Sequence, residues 1–462
     1  MIRYCIVLFL LITINLSSQT TIITGNAQGK PDKLVRVIVY DDLFSGLEKT
    51  IASSLTDPFG DFAFKLNIDN SQFAFLALEL DKGEFYLTPG SSYRFEISSD
   101  SNLNRGSVFD RLPLMFEVFA DDGGLQTSIE KFNIEYNDFI YNNVNRIYRT
   151  KDNSVVNSFI DYINENYSND DLAYFDNYVN YTLASLKWLS RIKNNREVLQ
   201  EYFINKPVLY FNIQYCDFFK EFFKSYFNSE KVFRYEDLIP VLNYSKSITP
   251  LIDLISKDTL LSKDTRVVEL ASMLLMSRYY YDRNVNKGSI IEKLNIISAN
   301  SSFYENRKIA GNYISVLTSL ESGTIAPNIE LQDTYGNNIS LKGYEGKFVL
   351  LAFVDNDCKM CEYHMNLIND MKDQIGFDVI SVVTDKANDD LIKFAKDQKY
   401  NWSIVDLNDN ILLLEDYNIR VFPTYIFINP DGTIAYVHLP MPEENMELYI
   451  KRFMNNYKAK MQ

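Results

Sequence analysis

From Lys347 to His364 the chain reads Lys-Phe-Val-Leu-Leu-Ala-Phe-Val-Asp-Asn-Asp-Cys-Lys-Met-Cys-Glu-Tyr-His. The apolar run Phe348 to Val354 has the pattern of a strand buried on both faces, and two cysteines follow it at a spacing that places them on one helical turn. This constrains the fold around it, because such a strand needs neighbours on both sides and a covering layer on each face. At the N-terminus of a helix, orphan amides and the positive end of the macrodipole favour a thiolate, so Cys358 is expected to be the nucleophile. Cys361, one turn further in and drier, is expected to be the resolving thiol. Lys359 favours the thiolate and Asp357 opposes it, so the sequence assigns no sign to the shift at Cys358 and leaves the reduction potential open.

Other uses of two such cysteines fit less well. A c-type haem attachment needs His directly after the second Cys, where Glu362 stands. A structural zinc site needs a second ligand pair, and the remaining cysteines, Cys5 and Cys216, are far away in sequence. Cys358, Cys361 and His364, three apart along one helix face, suit Cu(I) or Zn(II), so metal handling is a rival reading. A binding protein with an idle cysteine pair is another.

Downstream, Thr424 to Ile428 reads as a strand, Asn429 to Gly432 as a turn, and Pro423 stands just ahead of the strand. Taken together, Ala326-Pro327-Asn328, the run from Gly343 to Phe353, the CxxC pair, Val421-Phe422-Pro423-Thr424 and Asp431-Gly432 resemble the ResA/TlpA type of thioredoxin-fold thiol-disulfide oxidoreductase over about residues 323 to 460. The resemblance implies a cis Phe422-Pro423 bond lying against the CxxC, with Phe422, Pro423 and Thr424 as a substrate platform. It implies reduction of envelope protein disulfides more often than their formation. It also implies no cofactor beyond a redox-active Cys358-Cys361 disulfide, no metal, and, as partners, disulfide-containing envelope proteins and an upstream electron donor. The chain departs from the family pattern at Asp357 (usually Trp), at Lys359-Met360 (usually Gly-Pro or Glu-Pro) and at His364 (usually Glu). His364 is read as a replacement proton acceptor for Cys361. Asp355, Asn356 and Asp357 stand where peroxiredoxins carry Pro and Thr, which disfavours peroxidase chemistry.

The rest of the chain is read in order. Residues 1 to 19, with Arg3, an apolar run from Cys5 to Ile14 and a small polar end, read as a secretory signal peptide. The expected location is the periplasm or cell envelope, with no stable membrane span after cleavage. Three remaining cysteines make no disulfide scaffold, so export would serve an active thiol pair. A formal charge of −15 argues against nucleic-acid partners. With 46% hydrophobic residues over 462 positions, the chain can fill several cores, and about three domains are expected.

Residues 20–121 alternate with period two at Val35 to Val39, Phe62 to Leu66, Phe73 to Leu78 and Tyr93 to Ile97, which predicts a β-sandwich. From residue 122 to 322 the period becomes helical, as at Phe132, Tyr136, Phe139 and Ile140, which predicts an all-α domain. Its aromatic stripes, including Phe218-Phe219 and Phe222-Phe223, are read as core, with Cys216 buried and inert among them. Residues 323–462 alternate strands and helices, which predicts an α/β domain with helices on both faces of its sheet.

Overall fold

The computed structural model describes residues 20–98, 113–167, 172–229, 234–244, 246–355, 358–383, 389–407 and 410–460. The signal segment with Cys5, and Asn356 and Asp357 ahead of the cysteine pair, lie outside these. Strand, helical and α/β regions follow in the expected order. They pack as two compact units, with main bodies running to Ile309 and from Ala310 onward.

In the first unit, β1 (Thr20–Ala27), β4 (Asp61–Asn67), β7 (Ser92–Ile97) and β8 (Phe116–Asp121) form one sheet in the order β4-β1-β7-β8. A second sheet has the order β3-β2-β5-β6, from β2 (Leu34–Asp42), β3 (Leu47–Leu55), β5 (Gln72–Leu78) and β6 (Asp81–Leu87). The sheets share an apolar core that includes Val35, Val37, Leu76, Phe85 and Phe95. Strands β4 and β7 alternate buried and exposed residues, as a strand facing water on one side must.

Strand β2 does not alternate: Val35 to Val39 are all buried, including Arg36. The physical reason is a helical layer on the outer face of that second sheet. Ten helices follow among the described residues: α1 (Leu125–Val144), α2 (Asn153–Asn166), α3 (Ala173–Leu189), α4 (Asn195–Val198), α5 (Ile213–Ser229), α6 (Tyr235–Tyr244), α7 (Thr249–Ile255), α8 (Thr265–Tyr279), α9 (Lys287–Asn300) and α10 (Tyr304–Thr318). Phe73 and Tyr86 from the sheet join Phe132, Phe175 and Tyr178 from the helices in one cluster. Phe44 packs edge-on against Phe219 of α5 at 5.3 Å, and Lys220 Nζ donates to the Leu43 carbonyl at 3.0 Å. The sandwich and most of the helices lie in one compact unit, with one apolar cluster between the sheets and another shared by the outer sheet face and the helices. The aromatic stripe of α5 packs inward, with Phe218, Phe219, Phe222 and Phe223 all buried.

In the second unit a five-stranded sheet has the order β13-β12-β11-β14-β15. Its strands are β11 (Val349–Val354), β12 (Asp378–Val383), β13 (Ser403–Asp406), β14 (Thr424–Ile428) and β15 (Ile434–Val437). β11 runs parallel to β12 and antiparallel to β14, and every residue of β11 is buried, as its sequence predicts. Helices α11 (Lys359–Ile375), α12 (Asp389–Asp397) and α14 (Met446–Lys460) all cover one face, through Cys361, Met365 and Ile368, Ala395, and Ile450 and Met454 respectively. Burying Met365 and Ile368 contributes about 1.5–3 kcal/mol each.

The opposite face carries a helix as well, as expected, but a short one. This face is covered mainly by the hairpin β9 (Glu330–Gln332) and β10 (Asn338–Ser340), by a 3-10 turn at Leu341–Tyr344 and by the single-turn α13 (Leu413–Asp416). Two consecutive parallel crossovers, β11-α11-β12 and β12-α12-β13, step the same way along the sheet, and a shared handedness puts both helices on one side.

Candidate functional site

The site sits where β11 ends. Cys358 is the N-cap of α11, with extended backbone angles, and its Sγ accepts the Cys361 N–H at 3.0 Å. An N-cap normally satisfies an orphan amide with an oxygen, and here sulfur does so. The two sulfurs are joined as a disulfide with a Cα–Cα distance of 5.1 Å. Cys358 is half-buried and Cys361 is 1% exposed. A thiolate at Cys358 would meet the same amide and the positive end of a 17-residue helix. Lys359 Nζ lies 2.9 Å from Glu362 Oε1, so its charge is matched on its own helix.

Pro423 comes in from the neighbouring strand. The last paired rung of β11 with β14 is Phe353 with Thr424, and Pro423 falls just past it, beside the point where the chain leaves for Cys358. The Phe422-Pro423 peptide is cis. Thr424 is buried, and its hydroxyl donates to the Val421 carbonyl at 2.7 Å. Phe422 and Cys358 both pack, partly buried, against the cluster that contains Cys361. Met360, Tyr363 and Val421 are each more than half exposed and add an apolar rim from the first turn of α11 and the segment before Pro423. The six residues singled out from sequence thus stand on two elements, α11 and the start of β14.

His364 is 1% exposed and has both ring nitrogens engaged. Nδ1 lies 3.0 Å from the Tyr425 hydroxyl, and Nε2 lies 2.9 Å from Glu443 Oε2 and 3.1 Å from Oε1. A carboxylate only accepts, so Nε2 carries a proton. Burial, and then the charge of Glu443, push the Tyr425 phenol up, which keeps it protonated. The Glu443 carboxyl is held below its usual range by its own amide and then by His364. To take a proton from Cys361, Nδ1 must share its lone pair with the tyrosine.

Tyr425 and Glu443 escaped the sequence reading. They lie 61 and 79 residues from His364 and carry no motif; the signal on offer was a polar-tipped Tyr in a mainly apolar strand. The three residues of the metal reading do not form a ligand set here, since the sulfurs bond to each other and the imidazole to Tyr425 and Glu443. Among the described residues no group of three or more His, Cys, Asp or Glu could hold a metal ion.

The second unit is similar to known proteins. Residues 322–437 match the model of the AhpC/TSA family. ResA, the thiol-disulfide oxidoreductase of Bacillus subtilis, is 31% identical over 141 residues, which are 30% of this chain and 76% of ResA. The ResA of Halalkalibacterium halodurans is 32% identical over 146 residues, 30% of this chain and 82% of the relative. Among solved structures, the thioredoxin domain of a thiol-disulfide oxidoreductase from Bacteroides vulgatus is 30% identical, covering 30% of this chain and 99% of that domain with a TM-score of 0.25. A thiol:disulfide interchange protein from Bacteroides sp. is 31% identical, covering 30% and 92% with a TM-score of 0.26. Through its C-terminal unit, the chain belongs to the ResA family of thioredoxin-like thiol-disulfide oxidoreductases.

Proposed function

We propose that this oxidoreductase is exported to the periplasm and reduces disulfides of envelope proteins, with Cys358 as nucleophile and Cys361 as resolving thiol. The observation that carries the reading is the asymmetry of the pair: Cys358 is half-buried at a helix N-cap, while Cys361 is buried one turn behind it. The Cys358 thiolate forms a bond to one substrate sulfur and the other substrate sulfur leaves as a thiolate. Cys361 then attacks Cys358 Sγ, closing the Cys358-Cys361 disulfide and releasing the second substrate thiol. Two electrons pass to the substrate, and an upstream dithiol donor restores the pair.

Phe422, Pro423 and Thr424, with the apolar rim, supply the platform on which an unfolded or flexible substrate segment lies. His364 receives the proton of Cys361 during resolution. Export rests on the Arg3 and Cys5 to Ile14 pattern of the N-terminal segment. Among the described residues no helix is long and apolar enough to cross a membrane.

A covalent trap tests the assignment. Cys361→Ser should accumulate mixed disulfides with envelope proteins through Cys358, and Cys358→Ser should accumulate none. Equal trapping by both variants would refute it.

A further inference from the structure

Resolution needs an exit for a proton. When Cys361 attacks Cys358 Sγ its thiol hydrogen must leave a sulfur that is 1% exposed, and His364, one turn along the same helix, is equally buried. The Glu443 side chain is the nearest point of that network to water, at 43% exposure. We propose that Glu443 is a positioning residue for the resolution step, fixing the His364 proton on Nε2 so that Nδ1 is the basic face, and then stabilising the imidazolium formed when the Cys361 proton arrives. The inference rests on the His364 reading given above and adds the groups that make it work.

The geometry supports both charge states. Tyr425 donates its O–H to a bare Nδ1 and accepts from a protonated one by turning the hydroxyl, so the 3.0 Å contact survives proton uptake. Glu443 accepts from Nε2 throughout. The step balances through the tyrosine: Tyr425, in the same buried cluster as Cys361, passes its hydroxyl proton to Nδ1 as its oxygen takes the proton of Cys361, the Cys361 electron pair forms the S–S bond, and the pair of the broken Cys358–substrate bond leaves on the substrate sulfur. The imidazolium holds this proton on Nδ1 until the donor dithiol reduces the pair, when it goes back to the departing Cys361 thiolate and leaves Nε2 protonated as before.

The other charged or titratable neighbours are otherwise committed. On α11, Lys359 pairs with Glu362, and Tyr363 lies ring to ring with His364 at 5.8 Å. In the 3-10 turn Pro442–Glu444, the Glu444 carboxylate accepts the Met441 amide. On α14, Glu447 pairs with Lys451. Glu443 alone among these carboxylates contacts the imidazole.

The test uses the full chain, reduced, mixed in a stopped-flow instrument with dithiobis-nitrobenzoate. One coloured thiol is released when Cys358 attacks and a second when Cys361 resolves. In the parent protein the second phase should slow in acid, once the imidazole is already protonated and cannot take the Cys361 proton, and His364→Ala should flatten that dependence. An imidazole that loses a neighbouring carboxylate is a weaker base. Glu443→Gln should therefore slow the second phase roughly three- to tenfold near neutral pH and move its midpoint to lower pH, leaving the first phase unchanged. Glu443→Asp should recover part of the rate.

If Glu443→Gln superimposes on the parent while His364→Ala is flat, this inference fails and the role of His364 stands. A His364→Ala profile that matches the parent overturns the underlying reading. Equal slowing of both phases in Glu443→Gln would mark a merely structural contact and also overturn the inference.

Discussion

Cys361 and Cys216 are buried to nearly the same degree, each in the first turn of a helix, and their surroundings differ in almost every other respect. Cys216 lies in α5 among Tyr215, Phe219 and their aromatic neighbours, with its Sγ 3.6 Å from the Leu209 carbonyl and 3.8 Å from that of Tyr210. Burial pushes its thiol well up, outweighing the cation of Lys220. Cys361 has a sulfur within bonding distance at the helix cap and a polar network of His364, Tyr425 and Glu443 one turn on. Burial by itself silences a thiol. A buried thiol exchanges only where a partner sulfur can reach it and its proton has somewhere to go.

The largest effect should come from the partner sulfur. Cys358→Ser should reduce disulfide exchange to the uncatalysed background, read as insulin reduction with a chemical reductant as donor, whereas Cys216→Ala should leave it unchanged. A Cys216→Ala enzyme slowed as severely would erase the contrast between the two thiols.

Next comes the packing around Cys216. Phe203 is fully buried and faces the rings of Tyr215, Phe218, Phe219, Phe222 and Phe223 at 5.3–5.8 Å. Phe203→Ala should cost about 3–5 kcal/mol. Denaturant unfolding followed by far-ultraviolet circular dichroism measures this loss. The exchange rate of the folded fraction should not move, and a parallel fall in that rate would mean that the aromatic unit takes part in the chemistry.

A smaller effect concerns Glu443. Because its carboxyl titrates lower in the folded chain than its ordinary 4.5, it adds stability that is fully present above that value and is lost as pH falls below it. Parent and Glu443→Gln should therefore differ in melting temperature near neutral pH and converge in acid. The half-exposed carboxylate makes the difference small. Divergence on acidification would reverse the sign of the pairing.

Much of the second unit was legible in the chain. The unbroken apolar run of β11 required a central strand, and the cap spacing of Cys358 and Cys361 required a helix behind it, because both signals are local. The cis Phe422-Pro423 bond entered through the family resemblance. What was not legible depends on contacts made late in the chain. Glu443 reaches His364 from a turn beyond the sheet, and no local period announces such a partner. The same reason hid the outer cover of β2: five consecutive buried residues, Val35 to Val39, departed from strict alternation, but nothing nearby in sequence says that helices from residue 125 onward will lie there.

Site-by-site alkylation addresses the central claim most directly. The folded, reduced protein is treated with iodoacetamide, quenched at intervals and digested, and each cysteine peptide is quantified by mass spectrometry. Cys358 should be modified first, Cys361 far more slowly, and Cys216 only after denaturation. Modification of Cys216 at the rate of Cys358, or of Cys361 ahead of Cys358, would contradict the account.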